Sequence, residues 1–160
     1  MILAAIAELA LLTAEGAPAS VRTDAAKVTV VVFVSTVCPV SNDYRERYEA
    51  LHRAFAGKGV QFAFVYSNKT ETAADIRKHL REGGYPFPAY QDPGNVVADR
   101  LKARVTPVAV VLDGAGEVRY TGKIDDAVNP ARVRQKYLDD AMRAVLAGRK
   151  VKTPATEPYG

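Results

Sequence analysis

At 160 residues, 48% hydrophobic and 25% charged, the chain has the composition of one ordinary globular domain with room for a sizeable core. Its net charge of +4 is spread along the chain, and the densest basic stretch, Arg149-Lys150-Val151-Lys152, has no aromatic interleaving, so nucleic acid is not an expected partner. A single cysteine excludes an intrachain disulfide and a cysteine-based zinc cluster.

Residues 1–12 are apolar enough for the core of a signal peptide, and Ala17-Pro18-Ala19 has the look of a cleavage site. Yet no Lys or Arg precedes the stretch and Glu8 interrupts it. The preferred reading is a short β-hairpin: residues 9–12, the turn Ala14-Glu15-Gly16, and residues 19–22. No stretch is long enough to span a membrane. Val28–Val34 is apolar on both faces, as a central strand covered by helices should be. Tyr44, Tyr48, Leu51 and Phe55 follow a helical spacing and predict a helix over 41–56, ended by Gly57 and Gly59. Val60–Tyr66 is a second β-branched and aromatic strand. Thr72 with Asp75 predicts a capping box, with Ile76 and Leu80 on the inner face of the helix that follows.

Residues 87–91 read as a short edge strand, and Asp92-Pro93 as the start of a short helix, with the acid as N-cap and the proline at N1. Strands over 107–112 and 117–122 flank Asp113-Gly114-Ala115-Gly116 and form an antiparallel hairpin. Asn129-Pro130 repeats the helix-start signature for a last helix ending near Gly148. The expected organisation is one domain over 1–150, followed by an extended or loose tail over 151–160. His52 and His79 lie far apart on predicted helices and read as surface residues, so neither a metal nor a cofactor is expected.

This order predicts an α/β three-layer sandwich: a mixed sheet, helices on both faces, and an N-terminal hairpin. The helix between the first two main strands makes them parallel with a right-handed crossover. Cys38 then follows the C-terminal end of the central strand, the edge where open α/β sheets place their sites. Ser67 and Asn68 emerge at the same edge. So do Val105-Thr106-Pro107 and the loop Lys123-Ile124-Asp125-Asp126. A thiol at a strand–helix junction is also well placed for chemistry, because a helix N-terminus favours thiolate over thiol.

Phe33, Cys38-Pro39-Val40-Ser41, Val105-Thr106-Pro107 and the hairpin ending Tyr120-Thr121-Gly122-Lys123-Ile124-Asp125-Asp126 together resemble the thioredoxin-fold redoxin group. That group includes alkyl-hydroperoxide-reductase-like (AhpC/TSA) and thiol-disulfide oxidoreductase proteins, and the resemblance covers roughly residues 9–148. It implies that Cys38 opens the first main helix as the attacking sulfur, and that Pro107 is a cis proline facing it. It also implies that Thr106 offers its backbone to an extended substrate segment. The departures are specific. Val37 stands where thioredoxins commonly carry tryptophan, Val32 where several carry a buried polar group, and Ser41 where the resolving cysteine would be. Ser35 matches the hydroxyl of the peroxiredoxin pattern Pro-x-x-x-Ser/Thr-x-x-Cys, whereas Val31 does not match its proline.

Three functions follow from these residues. Cys38 forms mixed disulfides with protein or low-molecular-weight disulfides, and an external thiol resolves them. That thiol is glutathione, another protein, a second subunit or a cysteine beyond Gly160. Alternatively Cys38 reduces peroxides through a sulfenic acid, or it is a small apolar residue of a redox-inactive binding module. Ser41 and Lys123 are expected to favour the thiolate, while Asp125 or Asp126 opposes it and shuttles a proton. One cysteine suits a bacterial cytoplasm or a periplasm equally.

Overall fold

A computed structural model describes residues 4–85 and 88–159. Its centre is a seven-stranded sheet in the order β2-β1-β5-β4-β3-β6-β7. The strands are β1 Glu8–Thr13, β2 Pro18–Arg22, β3 Val28–Val34, β4 Val60–Tyr66, β5 Ala89–Gln91, β6 Val108–Asp113 and β7 Val118–Gly122. β3 pairs in parallel with β4 and antiparallel with β6, which pairs antiparallel with β7. All seven residues of β3 are buried. Side chains alternate across a strand, so the run Val28, Val30, Val32, Val34 enters one core while Val31 and Phe33 enter the other. Each fully buried valine or phenylalanine contributes roughly 1.5–3 kcal/mol relative to an exposed one, which is why this run fixes the register.

The helices are α1 Pro39–Asp43, α2 Arg45–Phe55, α3 Ala73–Gly83, α4 Val96–Arg100 and α5 Tyr137–Leu146. Residues of α2, α3 and α5, among them Tyr48, Phe55, Ile76, Leu138 and Met142, fill the core on the Val30 face, and Val97 and Ala98 of α4 fill the other. Thr72 and Asp75 form the expected capping box. The fold is thioredoxin-like, with the N-terminal hairpin of β1 and β2 added to the sheet.

Several local expectations need correction. The helix expected over 41–56 is two, interrupted at Tyr44, whose amide turns back to Ser41 O at 3.3 Å. β5 is no edge strand, because it pairs with β4 on one side and β1 on the other and so joins the hairpin to the sheet; Phe87, assigned to it from sequence, lies outside the described residues. Pro93 opens a 3-10 turn rather than the helix, yet Asp92 still caps α4 from a distance, accepting from the amides of Val97 (3.0 Å) and Ala98 (2.9 Å). The Asn129-Pro130 signature likewise yields only a 3-10 turn, and α5 begins at Tyr137. The tail is extended but not loose. Thr121 donates to Pro154 O and accepts from the Thr156 amide, each at 3.1 Å, so the segment runs parallel along β7. Among the described residues no helix is long and apolar enough to cross a membrane.

Candidate functional site

Cys38 is the N-cap of α1, in extended backbone, with Pro39 at the first helical position. Its Sγ accepts from the Ser41 amide at 3.4 Å and donates to the Thr106 carbonyl at 3.4 Å. The Thr106–Pro107 peptide is cis. The sulfur is half-buried, flanked by exposed Pro39 and by Val37, which is 71% exposed. Topology explains the meeting. Phe33 pairs with Val108, so the chain leaving β3 and the chain entering β6 lie side by side at one sheet edge.

Ser41 reaches the sulfur through its backbone amide. The side chain is buried, and burial pushes the phenol of Tyr48, one of the largest buried side chains nearby in sequence, well above its ordinary range. The N–H contact with Cys38 would therefore survive any non-proline residue at this position.

Ser35 is buried, and its hydroxyl donates to Glu71 Oε1 at 2.8 Å. The amide of Thr36 donates to the same oxygen. Asn42, on α1, donates from Nδ2 to Thr36 O at 3.2 Å, and its Oδ1 lies 2.7 Å from His79 Nε2. His79 Nδ1 in turn lies 2.7 Å from the Tyr66 hydroxyl. His79 is thus no surface residue; burial lowers its pKa, opposed by Glu71 and Glu82.

The loop after β7 does reach the expected edge, but its side chains are engaged elsewhere. Asp125 is buried and accepts from Tyr44 (2.6 Å) and from Arg47 (2.8 and 3.0 Å). The Arg47 guanidinium stacks on the Tyr44 ring, 3.6 Å from its centroid. Burial, then Asp125, pushes the Tyr44 phenol far up, so its hydroxyl remains a donor. Lys123 Nζ sits 4.7 Å from the centroid of Tyr159. Asp126 is half-buried and accepts from the Arg134 amide at 2.8 Å; that bond and the Gln135 backbone hold its carboxyl below the usual range. None of the three is among the hydrogen-bond partners described for the sulfur, which are Ser41 N and Thr106 O.

Sequence reasoning missed Glu71, Asn42, His79 and Arg47. A signal existed for two of them. Glu71 follows β4 at the site's edge, and His79 falls three residues after Ile76 on the inner stripe of α3. A cavity of about 390 Å³ is lined in part by Thr106, Ser35, Ser67, Asn68, Lys69 and Arg104. Among the described residues no cluster of three or more His, Cys, Asp or Glu could hold a metal ion.

The model of the AhpC/TSA family matches residues 2–121. No curated protein matches the chain. Among solved structures, a hypothetical protein of Sinorhizobium meliloti is 27% identical with a TM-score of 0.85, covering 99% of this chain and 92% of its own. An uncharacterized conserved protein of Geobacillus kaustophilus is 23% identical with a TM-score of 0.84, over 99% of this chain and 87% of its own. A secreted disulfide oxidoreductase of Mycobacterium tuberculosis shares the fold at 17% identity and a TM-score of 0.63, over 88% of this chain and 95% of its own.

Proposed function

The chain belongs to the AhpC/TSA family, and on that premise we propose that it is a thiol-disulfide oxidoreductase in which Cys38 forms mixed disulfides that an external thiol resolves. One observation carries the reading: a half-exposed sulfur held between an amide donor, Ser41 N, and a carbonyl acceptor, Thr106 O. A cysteine serving only as a small apolar core residue needs neither partner.

In the first step the Cys38 thiolate attacks one sulfur of a disulfide. The substrate S–S bond breaks, half the substrate joins Cys38, and the other half departs as a thiolate with the electron pair. In the second step an external thiolate attacks the substrate sulfur of the mixed disulfide. Cys38 leaves as thiolate, and the substrate carries away the new disulfide. The Ser41 amide stabilises negative charge on Cys38 in both steps, first as nucleophile and then as leaving group. Ser41 has no thiol to perform the second attack from within, which is why the resolving thiol is external. The peroxidase alternative draws no support from Ser35, whose hydroxyl is committed to Glu71.

Glutathione disulfide followed by intact-mass measurement tests this. We expect one glutathione adduct per chain, absent in Cys38→Ser and removed by added reduced thiol. A fast gain of one oxygen from peroxide with negligible adduct would replace the reading by a single-cysteine peroxidase. Neither product would leave a binding module.

A further inference from the structure

We propose that His79 is a positioning residue for Cys38, acting through Asn42 on the backbone of Thr36. The proposal rests on the thiol-exchange reading for its consequence, but not for its geometry.

The polarity of the chain can be derived from one end. A carbonyl oxygen only accepts, so Thr36 O must face the Asn42 amide nitrogen, at 3.2 Å. Asn42 Oδ1 therefore faces His79 Nε2, at 2.7 Å, and Nε2 must carry a proton. In a neutral imidazole Nδ1 then has a lone pair, which accepts from the buried Tyr66 hydroxyl at 2.7 Å. The donation from Nε2 to Asn42 is present in the neutral Nε2–H tautomer and in the imidazolium alike. Protonation at Nδ1 reverses the contact with Tyr66, whose hydroxyl then accepts.

The far end of this chain acts on the reactive loop. Both peptide groups of Thr36, two residues before the sulfur, are held: its N–H by Glu71 and its C=O by Asn42. Asn42 also donates its own amide to Cys38 O at 3.1 Å. One side chain thus ties the loop to the first turn of α1, and His79 fixes which way that side chain points. Without the His79 donor, Asn42 can flip or turn to solvent, and the Thr36 carbonyl loses its partner.

The imidazole is faced by charged and titratable groups from several elements. Glu71, from the loop before α3, and Glu82, on α3 itself, favour its protonation. Asp43 of α1, Arg45 and Glu46 of α2, and Tyr85 after α3 line the cavity it borders, and Tyr66 of β4 lies behind it. Burial outweighs the two glutamates and leaves His79 below its ordinary 6.5.

The test compares His79→Leu, which removes the donor, with His79→Gln, whose amide can still donate to Asn42 and accept from Tyr66 but cannot titrate. The rate of Cys38 reaction with dithiodipyridine is followed by absorbance. We expect His79→Leu to react about five-fold more slowly, the population cost of one hydrogen bond, and His79→Gln to stay near the wild-type rate.

Amide hydrogen exchange over residues 35–38 reads the clamp without any chemistry at sulfur: faster in His79→Leu, unchanged in His79→Gln. Equal exchange in all three proteins overturns the proposal, and so does equal acceleration in both variants, which would mean that the ring acts by packing alone. A wild type inert to the reagent defeats the thiol-exchange reading, while the exchange data still decide on the clamp.

Discussion

Replacing Arg47 by methionine is the sharpest test of how the loop after β7 is held beside α1. The Arg47 side chain is 18% exposed and that of Asp125 5%. Nη1 of Arg47 reaches Asp125 Oδ1 at 3.0 Å, Asp125 Oδ2 at 2.8 Å and Ala127 O at 2.8 Å, and Nη2 donates to Val128 O. Methionine keeps much of the stem and removes every donor. Asp125 would retain only the Tyr44 hydroxyl at 2.6 Å and the Ala127 amide at 3.3 Å. Removing one partner of a buried ion pair costs ~3–5 kcal/mol. The two surviving donors and the residual exposure of Arg47 place this case at the low end, about 3 kcal/mol by the same scale. For a chain of this size that corresponds to a fall in Tm of about 6–12 °C. Urea and thermal unfolding would measure it. Arg47→Met with Asp125→Asn should recover part of the loss, because the uncompensated charge is then gone, and a double-mutant cycle would return a favourable coupling. A single-variant cost below about 1 kcal/mol, as for an exposed pair, or strictly additive losses, would refute the reasoning.

Three further outcomes are expected. Gly122→Ala should unseat the tail: at φ +143 its new Cβ would lie 2.1 Å from Thr156 Oγ1 and 2.5 Å from Thr156 O. The expected cost is about 1–3 kcal/mol, with faster tryptic cleavage at Lys150 and Lys152; an unchanged digestion pattern would argue against it. Asp75→Asn tests the cap of α3. The Thr72 backbone amide holds the Asp75 carboxyl below its ordinary 3.8, so its contribution is complete above that value and is lost as pH falls through the lowered one. The stability gap between wild type and Asp75→Asn should be constant near neutrality and close in acid; a gap that widens in acid would reverse the sign. Ser41→Ala should form mixed disulfides at nearly the wild-type rate, because the amide contact to Cys38 is backbone. Ser41→Cys should shed its adduct without added thiol, since an adjacent thiol acts at high effective concentration. Retention of the adduct in Ser41→Cys would show that position 41 cannot reach the sulfur.

What was legible in the sequence was what a short stretch decides. β3 and β4 have their expected bounds because β-branched runs buried on both faces leave little alternative. The meeting of Cys38 with Thr106 follows from strand directions alone. The start of α5 was not legible, because the Asn129-Pro130 signature is fully satisfied by one 3-10 turn, with Asn129 Oδ1 accepting from the Ala131 amide at 3.0 Å. The Lys123–Asp126 loop marks a different limit. Topology fixes the level along the strands at which a side chain emerges, but not whether a stronger partner stands between it and the sulfur. For Asp125 that partner is Arg47, on a helix 78 positions away in sequence. His79 was misread for a related reason: a histidine on a helix looks solvated until the strand beneath it is seen to end in a buried tyrosine.

The arrangement has a consequence for α1. With five residues it is too short to be stable alone, and its order must come from its surroundings. Two half-buried polar groupings supply it. Glu71, Asn42 and His79 hold the loop that enters the helix, while Asp125 and Arg47 hold Tyr44, the residue that ends it. The sulfur lies between them and, among the described residues, is hydrogen-bonded only to backbone atoms, Ser41 N and Thr106 O. Side-chain substitutions around the site should therefore change where the sulfur sits and how long it stays there, rather than remove a group that acts on it. The two groupings meet through the backbone of α1, where the Tyr44 amide reaches Asn42 O, but no described side-chain hydrogen bond links them, so their effects on reactivity should add. His79→Leu combined with Arg47→Met should slow Cys38 by the product of the two single effects. A combined effect no larger than either single one would mean that α1 is released as a unit once either end lets go.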